Sequence, residues 1–474
     1  SIMFKMLERC GMDEAISSCP LPLQGSNRGY SPKQLIYGLF AGVWCGASCF
    51  DQLEIVRHDG CLRKILGWDR GAGHRAYIRY IDKFTQADNQ RVFNHLYKWF
   101  FTNLQFNNYT LDFDSTVEQR CGEQEGAAKG YNPKRPGRQS HHPLLAFVAD
   151  LRMIANFWLR PGNTSASTNF LSFLEDTLNK LDGKKVGLIR MDSGFFSNQI
   201  MSYLEEKSLH YIIACRFNNR IKHVLAEECK WMEVANGIDI SETTYQGLDW
   251  EKPRRIVMVR QHIDIRPKAA GKHIKQLDLF PEFSDLSNYR YSCFITDMDL
   301  PMKAIYDMYR GRADSENRIK EIKYDFSVDK FAVHSFWANE ACACFIIMAY
   351  NLYALFRLVL TNNKKHPFLK KIRYELLAIP GYLRKSKNKQ VLYLARSMTT
   401  RKAFKGISPC KIYHPCGAAA VRAYLRHSRK KRAEIGEFQI LFQIFSGRSV
   451  FAVDGIRGRD VHRQRRYEIC DIQG

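Results

Sequence analysis

The sequence has 14 cysteines but no Cys-x-x-Cys pair, and it has no long apolar run. A chain of this size without paired cysteines suits a reducing compartment, because disulfide frameworks belong to oxidising ones. Cys410 and Cys416 bracket His414, which is a weak pattern for a zinc site. The stretch Ala341–Tyr350 is far shorter than the roughly 18 apolar residues that a membrane span needs. We therefore expect a cytoplasmic protein with no membrane partner.

Acidic residues are few relative to basic ones. The chain has 48 Asp and Glu against 72 Lys and Arg, a formal net charge of +24 over 474 residues. An excess of this size favours a polyanionic partner, with nucleic acid first. Hydrophobic residues make up 45% of the chain, which indicates globular domains and excludes a largely disordered protein.

Two stretches have the pattern of a strand that ends in an aspartate. Tyr109–Asp114 alternates in hydrophobicity, which is typical of a strand and places Asp112 and Asp114 on the same side. Lys184–Asp192 has the pattern of a buried strand, and a Ser-Gly turn follows it. An aspartate at a strand end is delivered to the carboxyl edge of the sheet, where ligands commonly bind.

A third stretch, Met302–Phe326, is highly charged, lacks proline and predicts one continuous helix. At about 100° per residue, Tyr309, Arg312, Glu316 and Lys323 fall within one narrow arc of that helix. A carboxylate flanked by two cations and a phenol suits a site for a metal ion and a phosphodiester. Taken alone, the same pattern also fits an ordinary solvated helix of mixed charge.

The spacing Tyr309-x2-Arg312-x3-Glu316-x6-Lys323 resembles the Y-R-E-K signature of the DDE transposases encoded by bacterial insertion sequences. The resemblance covers roughly Tyr109–Leu360. It implies an α/β fold in which an RNase H-like mixed sheet, flanked by helices, is interrupted by a β-rich insertion domain. It also implies three acids, two at strand ends and one on the helix, that hold metal ions.

The remaining patterns fit this organisation. Short helical segments follow Ser31-Pro32, a strand hairpin is predicted near 141–159, and Phe336–Leu360 reads as a long buried helix. We expect a helical DNA-binding domain at 1–105, the first part of the RNase H-like catalytic domain at 106–216, the β-rich insertion domain at 217–300, the second part of the catalytic domain at 301–362, and a basic C-terminal region at 363–474.

The candidate catalytic and metal-binding residues are Asp114, Asp192 and Glu316. Burying such carboxylates unpaired would cost several kcal/mol each, and divalent cations remove that conflict. Two Mg²⁺ ions, for which Mn²⁺ can substitute, suit in-line phosphoryl transfer. Asp112 is the alternative first acid. Asp114 is preferred because the family's motif places the acid directly before small hydroxyl residues, here Ser115-Thr116.

Six residues are expected to contact DNA. They are Tyr309, Arg312, Lys323, Trp250, Lys134 and Arg138. The resemblance implies that the first three bind phosphates near a transposon end. It also implies a tryptophan of the insertion domain that stabilises a flipped base, for which Trp250 is the first candidate and Trp231 the second. Both tryptophans are equally interpretable as core residues.

The resemblance implies a cut-and-paste DNA transposase that cleaves transposon ends, with or without a hairpin intermediate, and joins them to target DNA. Its partners would be double-stranded DNA, as terminal inverted repeats and as target, and a second copy in a homodimeric synaptic complex. Two alternatives stay open at this point. One is an RNase H-like nuclease that never joins strands, and the other is a catalytically silent, transposase-derived DNA-binding protein.

Overall fold

The computed structural model describes residues 2–25, 29–104, 108–227, 229–262, 289–360, 367–386, 389–394 and 468–472. Cys410, His414 and Cys416 lie outside these residues, as does most of the basic region 363–474, so their predicted roles are not addressed by the structure.

The helices are given in chain order. They are α1 (Ile2–Arg9), α2 (Met12–Ser18), α3 (Pro32–Cys45), α4 (Glu54–His58), α5 (Gly60–Ile65), α6 (His74–Ile81), α7 (Gln86–Thr102), α8 (Phe170–Lys180), α9 (Asn198–Glu206), α10 (Asn219–Glu227), α11 (Met302–Arg310), α12 (Ala313–Tyr324), α13 (Phe336–Leu360) and α14 (Leu369–Ile372). Short 3₁₀ turns lie at Phe50–Leu53 and Ser193–Phe195, and a π-helical turn lies at Arg373–Leu377.

The strands follow in the same way. They are β1 (Tyr109–Ser115), β2 (Glu118–Gln119), β3 (Ala128–Lys129), β4 (Gln139–His141), β5 (Leu144–Val148), β6 (Met153–Trp158), β7 (Val186–Met191), β8 (Tyr211–Ala214), β9 (Met232–Ala235), β10 (Ile238–Tyr245), β11 (Arg254–His262), β12 (Tyr289–Thr296), β13 (Gly381–Ser386), β14 (Lys389–Leu394) and β15 (Glu468–Ile472).

A nine-stranded mixed sheet organises the molecule, in the order β6-β5-β1-β7-β8-β12-β11-β10-β9. Strands β1, β7 and β8 run parallel, and the others pair antiparallel. Both aspartate-bearing strands are therefore adjacent at the centre, with Phe113 paired to Met191. The expected mixed α/β sheet flanked by helices is confirmed.

The segment 217–300, predicted to be β-rich, contains strands β9–β12 in its described residues, and these strands do not form a sheet of their own. Strand β12 pairs with β8, so β9–β12 extend the central sheet. Helix α11 packs on β10 and β11, and its Ile305 closes a small apolar core with Ile212 and Phe294. Strands from this segment therefore support the helix that carries Tyr309.

The helices at the amino end pack on α13. The indole of Trp44 in α3 donates to the carbonyl of Ala349 in α13 at 3.1 Å. By length and composition, Phe336–Leu358 could cross a membrane, and the pair Pro32–Cys45 and Phe50–His58, bent by 99°, would pass the same test together. The most apolar window of α13 is 94% buried inside the protein, as the central helix of a folded core would be.

The prediction of a single helix over 302–326 is wrong in one respect. Helix α11 ends at Arg310 and α12 begins at Ala313, so the helix is interrupted at Gly311 and Arg312. Both residues keep right-handed helical dihedrals, but Asp314 and Ser315 bond three residues back instead of four. This tighter turn changes the direction of the side chains that follow it.

Candidate active site

Asp114 lies near the end of β1 and is buried. Its carboxylate accepts from the backbone N–H of Ser115 at 2.8 Å and pairs with the Arg312 guanidinium at 3.0 Å. Burial raises the pKa of Asp114 to about 6; the Arg312 charge opposes this shift, and the charges of Asp192 and Glu316 add to it. Asp192 and Glu316 therefore lie close enough to Asp114 for their charges to act on it.

The other two acids are more accessible. Asp192 follows β7, is half-buried, and accepts from the backbone N–H of Gly194 at 2.8 Å, which caps a 3₁₀ turn. Glu316 lies in the first turn of α12 and is exposed. Within the described part of the chain, its carboxylate has no hydrogen bond or ion pair, so it is available to a ligand.

Two motif residues reach the ends of the strands that bear the aspartates. The Tyr309 hydroxyl donates to the carbonyl of Met191, directly before the second aspartate, at 3.4 Å. Arg312 donates to the carbonyl of Phe113, directly before the first, at 3.2 Å. Burial raises the pKa of Tyr309 to about 12, so its hydroxyl stays protonated and remains a donor at neutral pH.

Lys323 contacts the two residues that lie two and three positions after Asp114 in the chain. Its ammonium donates to the hydroxyl of Thr116 at 2.6 Å and to the carbonyl of Val117 at 2.7 Å. Burial lowers the pKa of Lys323, with the charge of Glu118 opposing this shift. In the DNA-free protein, the three predicted phosphate-binding residues thus hold the two strand ends in place.

Arg190 was not among the sequence candidates, yet it connects the sheet to the motif helix. Its guanidinium donates to both carboxylate oxygens of Asp112, at 2.6 and 2.9 Å, and to the carbonyl of Met308 in α11. Both oxygens of Asp112 accept from Arg190 in this fully buried pair, and Asp114 is the acid that faces Arg312. A lone arginine in an otherwise apolar strand was the available signal, since a buried charge needs a partner.

Gly311 gives the Arg190 guanidinium the space it occupies. A Cβ at this position would lie 2.6 Å from Arg190 Nη1 and 3.3 Å from the Met308 carbonyl oxygen. The backbone φ of −57° suits any residue, so the need for glycine is one of space and not of conformation.

His142 is a second residue that sequence reasoning missed. Its Nδ1 lies 2.7 Å from the carbonyl oxygen of Thr164 and must donate to it, so in the neutral ring Nε2 accepts from the Ser115 hydroxyl at 3.2 Å. Burial lowers the pKa of His142, which favours this neutral form. His142 thereby holds the residue next to Asp114.

The other predicted DNA contacts lie on two sides of the acids. Lys134 and Arg138 are exposed in the loop between β3 and β4. Trp250 is half-buried and packs on Phe196, just beyond the Asp192 turn, with ring centroids 5.8 Å apart. Trp231 packs against Arg260, whose guanidinium carbon lies 4.5 Å from the ring centroid.

These contacts bring Tyr309, Arg312 and Lys323 to the edge of the sheet where both aspartates lie, and Glu316 follows in the first turn of α12. A family model described as "Transposase DDE domain group 1" matches residues 2–409. The chain belongs to this family of DDE transposases.

Among solved structures, the transposase is similar to a piggyBac transposase in a synaptic complex with hairpin DNA. The identity is 11%, the match covers 79% of this chain and 76% of that chain, and the TM-score is 0.44. No curated protein matches the chain.

The acids of this transposase fit a divalent cation by their chemistry. All three offer carboxylate oxygens, which Mg²⁺ prefers, and their mutual repulsion at Asp114 is what a cation would relieve. Within the described residues, however, no three acidic, histidine or cysteine side chains lie close enough together to hold a metal ion. The Arg312 guanidinium sits on Asp114, and Glu316 extends into solvent.

Replacing Gly311 with alanine should displace Arg190 and tilt the motif helix. We expect DNA cleavage to fall roughly 10- to 100-fold, because small misplacements at a site are costly, and the free energy of unfolding to fall by about 1–3 kcal/mol. Cleavage rates and denaturant unfolding measure both effects. Gly60→Ala is the matched control, since a Cβ there meets nothing within 4 Å.

A second substitution separates this mechanism from general damage. Shortening the side chain with Arg190→Lys relieves the clash, so the double variant Gly311→Ala/Arg190→Lys should cleave faster than Gly311→Ala alone. A double variant no faster than the single one would show that Arg190 does not transmit the effect.

Metal binding should depend on pH through Asp114. Because its folded pKa of about 6 lies above the usual 3.8, the folded state holds this proton more tightly, and the contribution of Asp114 to stability falls as pH rises between these values. Below about pH 6, Mg²⁺ must displace the proton. The rise in Tm on adding Mg²⁺ should therefore be larger near pH 7.5 than near pH 5.

Thermal unfolding with and without Mg²⁺ at the two pH values makes this measurement. Asp114→Asn should abolish the pH dependence of the shift, whereas Lys185→Ala, at the opposite end of β7, should leave it unchanged. An equal Mg²⁺ shift at both pH values in the unmodified protein would rule out Asp114 as the group that titrates.

Proposed function

We propose that this transposase carries out cut-and-paste transposition of a bacterial insertion sequence, with Tyr309, Arg312, Glu316 and Lys323 as its Y-R-E-K signature. The observation that carries the proposal is the convergence of the motif helices on both aspartate-bearing strand ends. Strands β6, β5, β1, β7 and β8 then form an RNase H-like core, and the helices within 1–105 form a DNA-binding domain.

In this proposal, Asp114, Asp192 and Glu316 hold two Mg²⁺ ions, which Mn²⁺ can replace. Such ions balance the carboxylate charges and polarise phosphodiester oxygens during in-line phosphoryl transfer. Cleavage of the transposon end, with or without a hairpin intermediate, then precedes joining to target DNA.

The motif residues bind and orient the DNA backbone with the donors that they have left. The Nε of Arg312 is buried and has no hydrogen-bond partner in the described part of the chain. An unsatisfied buried donor costs about 1–3 kcal/mol, and a phosphate oxygen would relieve that cost. Lys323 uses two of its three protons in the contacts described, and the third is left for a second phosphate.

Trp250 is placed beside the Asp192 turn by its contact with Phe196 and is the proposed partner of a flipped base. Transposon ends and target are double-stranded DNA, and two ends require two active sites, so we include a homodimeric synaptic complex. A cytoplasmic, nucleoid-associated location follows from this role.

Glu316→Gln should keep DNA binding and lower the cleavage rate by more than roughly 100-fold. Mutation of a residue that only hydrogen-bonds to a metal ligand already lowers metal affinity or activity about 10- to 100-fold. Asp314→Asn is the matched control. The Asp314 carboxylate pairs with Arg152 at 3.0 Å and with Arg318 at 2.8 Å, so its role is in these ion pairs and not in the candidate metal site. It should retain cleavage. Gel-shift and nicking assays on DNA that flanks the gene measure both properties, and equal damage from the two variants would contradict the assignment of Glu316.

Strand joining distinguishes the proposed function from its alternatives. A pre-cleaved end that carries a 3′-hydroxyl should be joined to target DNA by the unmodified protein. Cleavage without any joined product would identify a nuclease. Binding without magnesium-dependent cleavage, unchanged by Glu316→Gln, would identify a silent DNA-binding protein.

A further inference from the structure

The loop between β3 and β4, residues 130–138, concentrates positive charge beside the candidate active site. Its hairpin, residues 128–141, carries four basic residues, all exposed: Lys129, Lys134, Arg135 and Arg138. Their side chains have no hydrogen-bond or ion-pair partner within the described part of the chain, and no acidic residue lies between Gly126 and Arg138. We call residues 128–141 the basic hairpin.

Tyr131 stands in this loop with 72% of its surface exposed. Its ring has no aromatic or cationic partner among the described residues. A large aromatic side chain that is left in solvent amid unpaired cations is a common arrangement in proteins that bind single-stranded nucleic acid, where cations follow the phosphates and the ring stacks on a base.

The base of the basic hairpin is held rigidly. A Cβ on Gly130 would lie 1.9 Å from the carbonyl oxygen of Gly162, and a Cβ on Gly162 would lie 2.0 Å from that of Ser140. The backbones therefore touch where the hairpin crosses the segment around Gly162. Near the tip, the side chain of Asn132 accepts from the backbone N–H of Arg135 at 3.0 Å and fixes the turn.

The basic hairpin is also joined directly to the acids. Strand β2, which pairs with β4, begins at Glu118, four positions after Asp114. At its far end the hairpin leads to His142, whose ring accepts from Ser115 next to Asp114. The charge of Lys134 also acts on Lys323. The hairpin thus projects from the Asp114 side of the site, whereas Trp250 lies beside Asp192.

We infer that the basic hairpin binds an unpaired DNA strand at the cleaved end, with Tyr131 stacked on a base and the four cations on its phosphates. A base inside a duplex is covered on both faces, whereas an unpaired base beyond the end of a duplex leaves a face open to the Tyr131 ring. Cleavage at the neighbouring acids supplies such ends. This inference rests on the proposed function and adds a strand-binding surface to it.

Binding of two DNA probes to the full chain tests the inference. One probe is a blunt duplex, and the other is the same duplex with a short unpaired 3′ extension, both labelled for fluorescence anisotropy in the presence of EDTA. Tyr131→Ala should weaken binding of the extended probe about 5- to 100-fold, the range of one stacked base, and leave the blunt probe unchanged. Tyr131→Phe should bind both probes like the unmodified protein, because the ring face is kept.

The charges are tested by Lys134→Ala/Arg135→Ala/Arg138→Ala. This variant should bind the extended probe more weakly, and its slope of log affinity against log salt should fall by about 0.7 for each lost phosphate contact on a single strand. The control is Lys185→Ala/Lys207→Ala, which removes exposed cations at the amino ends of β7 and β8 and should change neither affinity nor slope.

The inference fails if Tyr131→Ala binds the extended probe like the unmodified protein, or if its affinity for both probes falls equally. An unmodified protein that binds and cleaves DNA while Tyr131→Ala shows no change would overturn only the role of the hairpin. An unmodified protein that binds neither probe would overturn the proposed function as well.

Discussion

The buried ion pair between Arg190 and Asp112 is the contact on which the geometry of the site depends. It joins the two central strands and extends to the Met308 carbonyl at the end of α11. A buried pair of this kind contributes little net stability, but loss of one partner costs about 3–5 kcal/mol because a charge is left uncompensated. Its role here is to fix where the motif helix meets the sheet, with Gly311 providing the space.

The parts that the sequence predicted well are those that local periodicity determines. The strand Tyr109–Ser115 and the helix Phe336–Leu360 follow directly from alternation and from a long apolar pattern. The pairing of β12 with β8 was not predictable in this way, because alternation identifies a strand but not its partner. The helix break at Gly311 was missed because it involves a distant strand. Arg190 donates to the Met308 carbonyl, the acceptor that the Arg312 N–H would use in a continuous helix, and that N–H bonds to Tyr309 instead.

The site residues likewise divide into features that local sequence patterns identify and contacts that depend on distant parts of the chain. Strand-end positions, helical spacing and the family resemblance selected Asp114, Asp192 and Glu316, and the charges of the last two act on Asp114. Spacing could not show that Arg312 pairs with Asp114 or that Lys323 binds Thr116. In the DNA-free protein Arg312 balances the charge of Asp114, and Lys323 holds the chain that follows it. DNA therefore enters a site whose basic groups are already in place and partly satisfied.

In the proposed function, three acids that are distant in sequence surround one scissile phosphodiester. Replacing Mg²⁺ with Fe²⁺ in the DNA-bound protein, and adding ascorbate and peroxide, generates hydroxyl radicals that cut the polypeptide near the bound ion. Mapping of the fragments by mass spectrometry should show cuts near residues 114, 192 and 316 together, and Mg²⁺ in excess should suppress all of them. Cuts near the two aspartates with none near Glu316 would contradict the account.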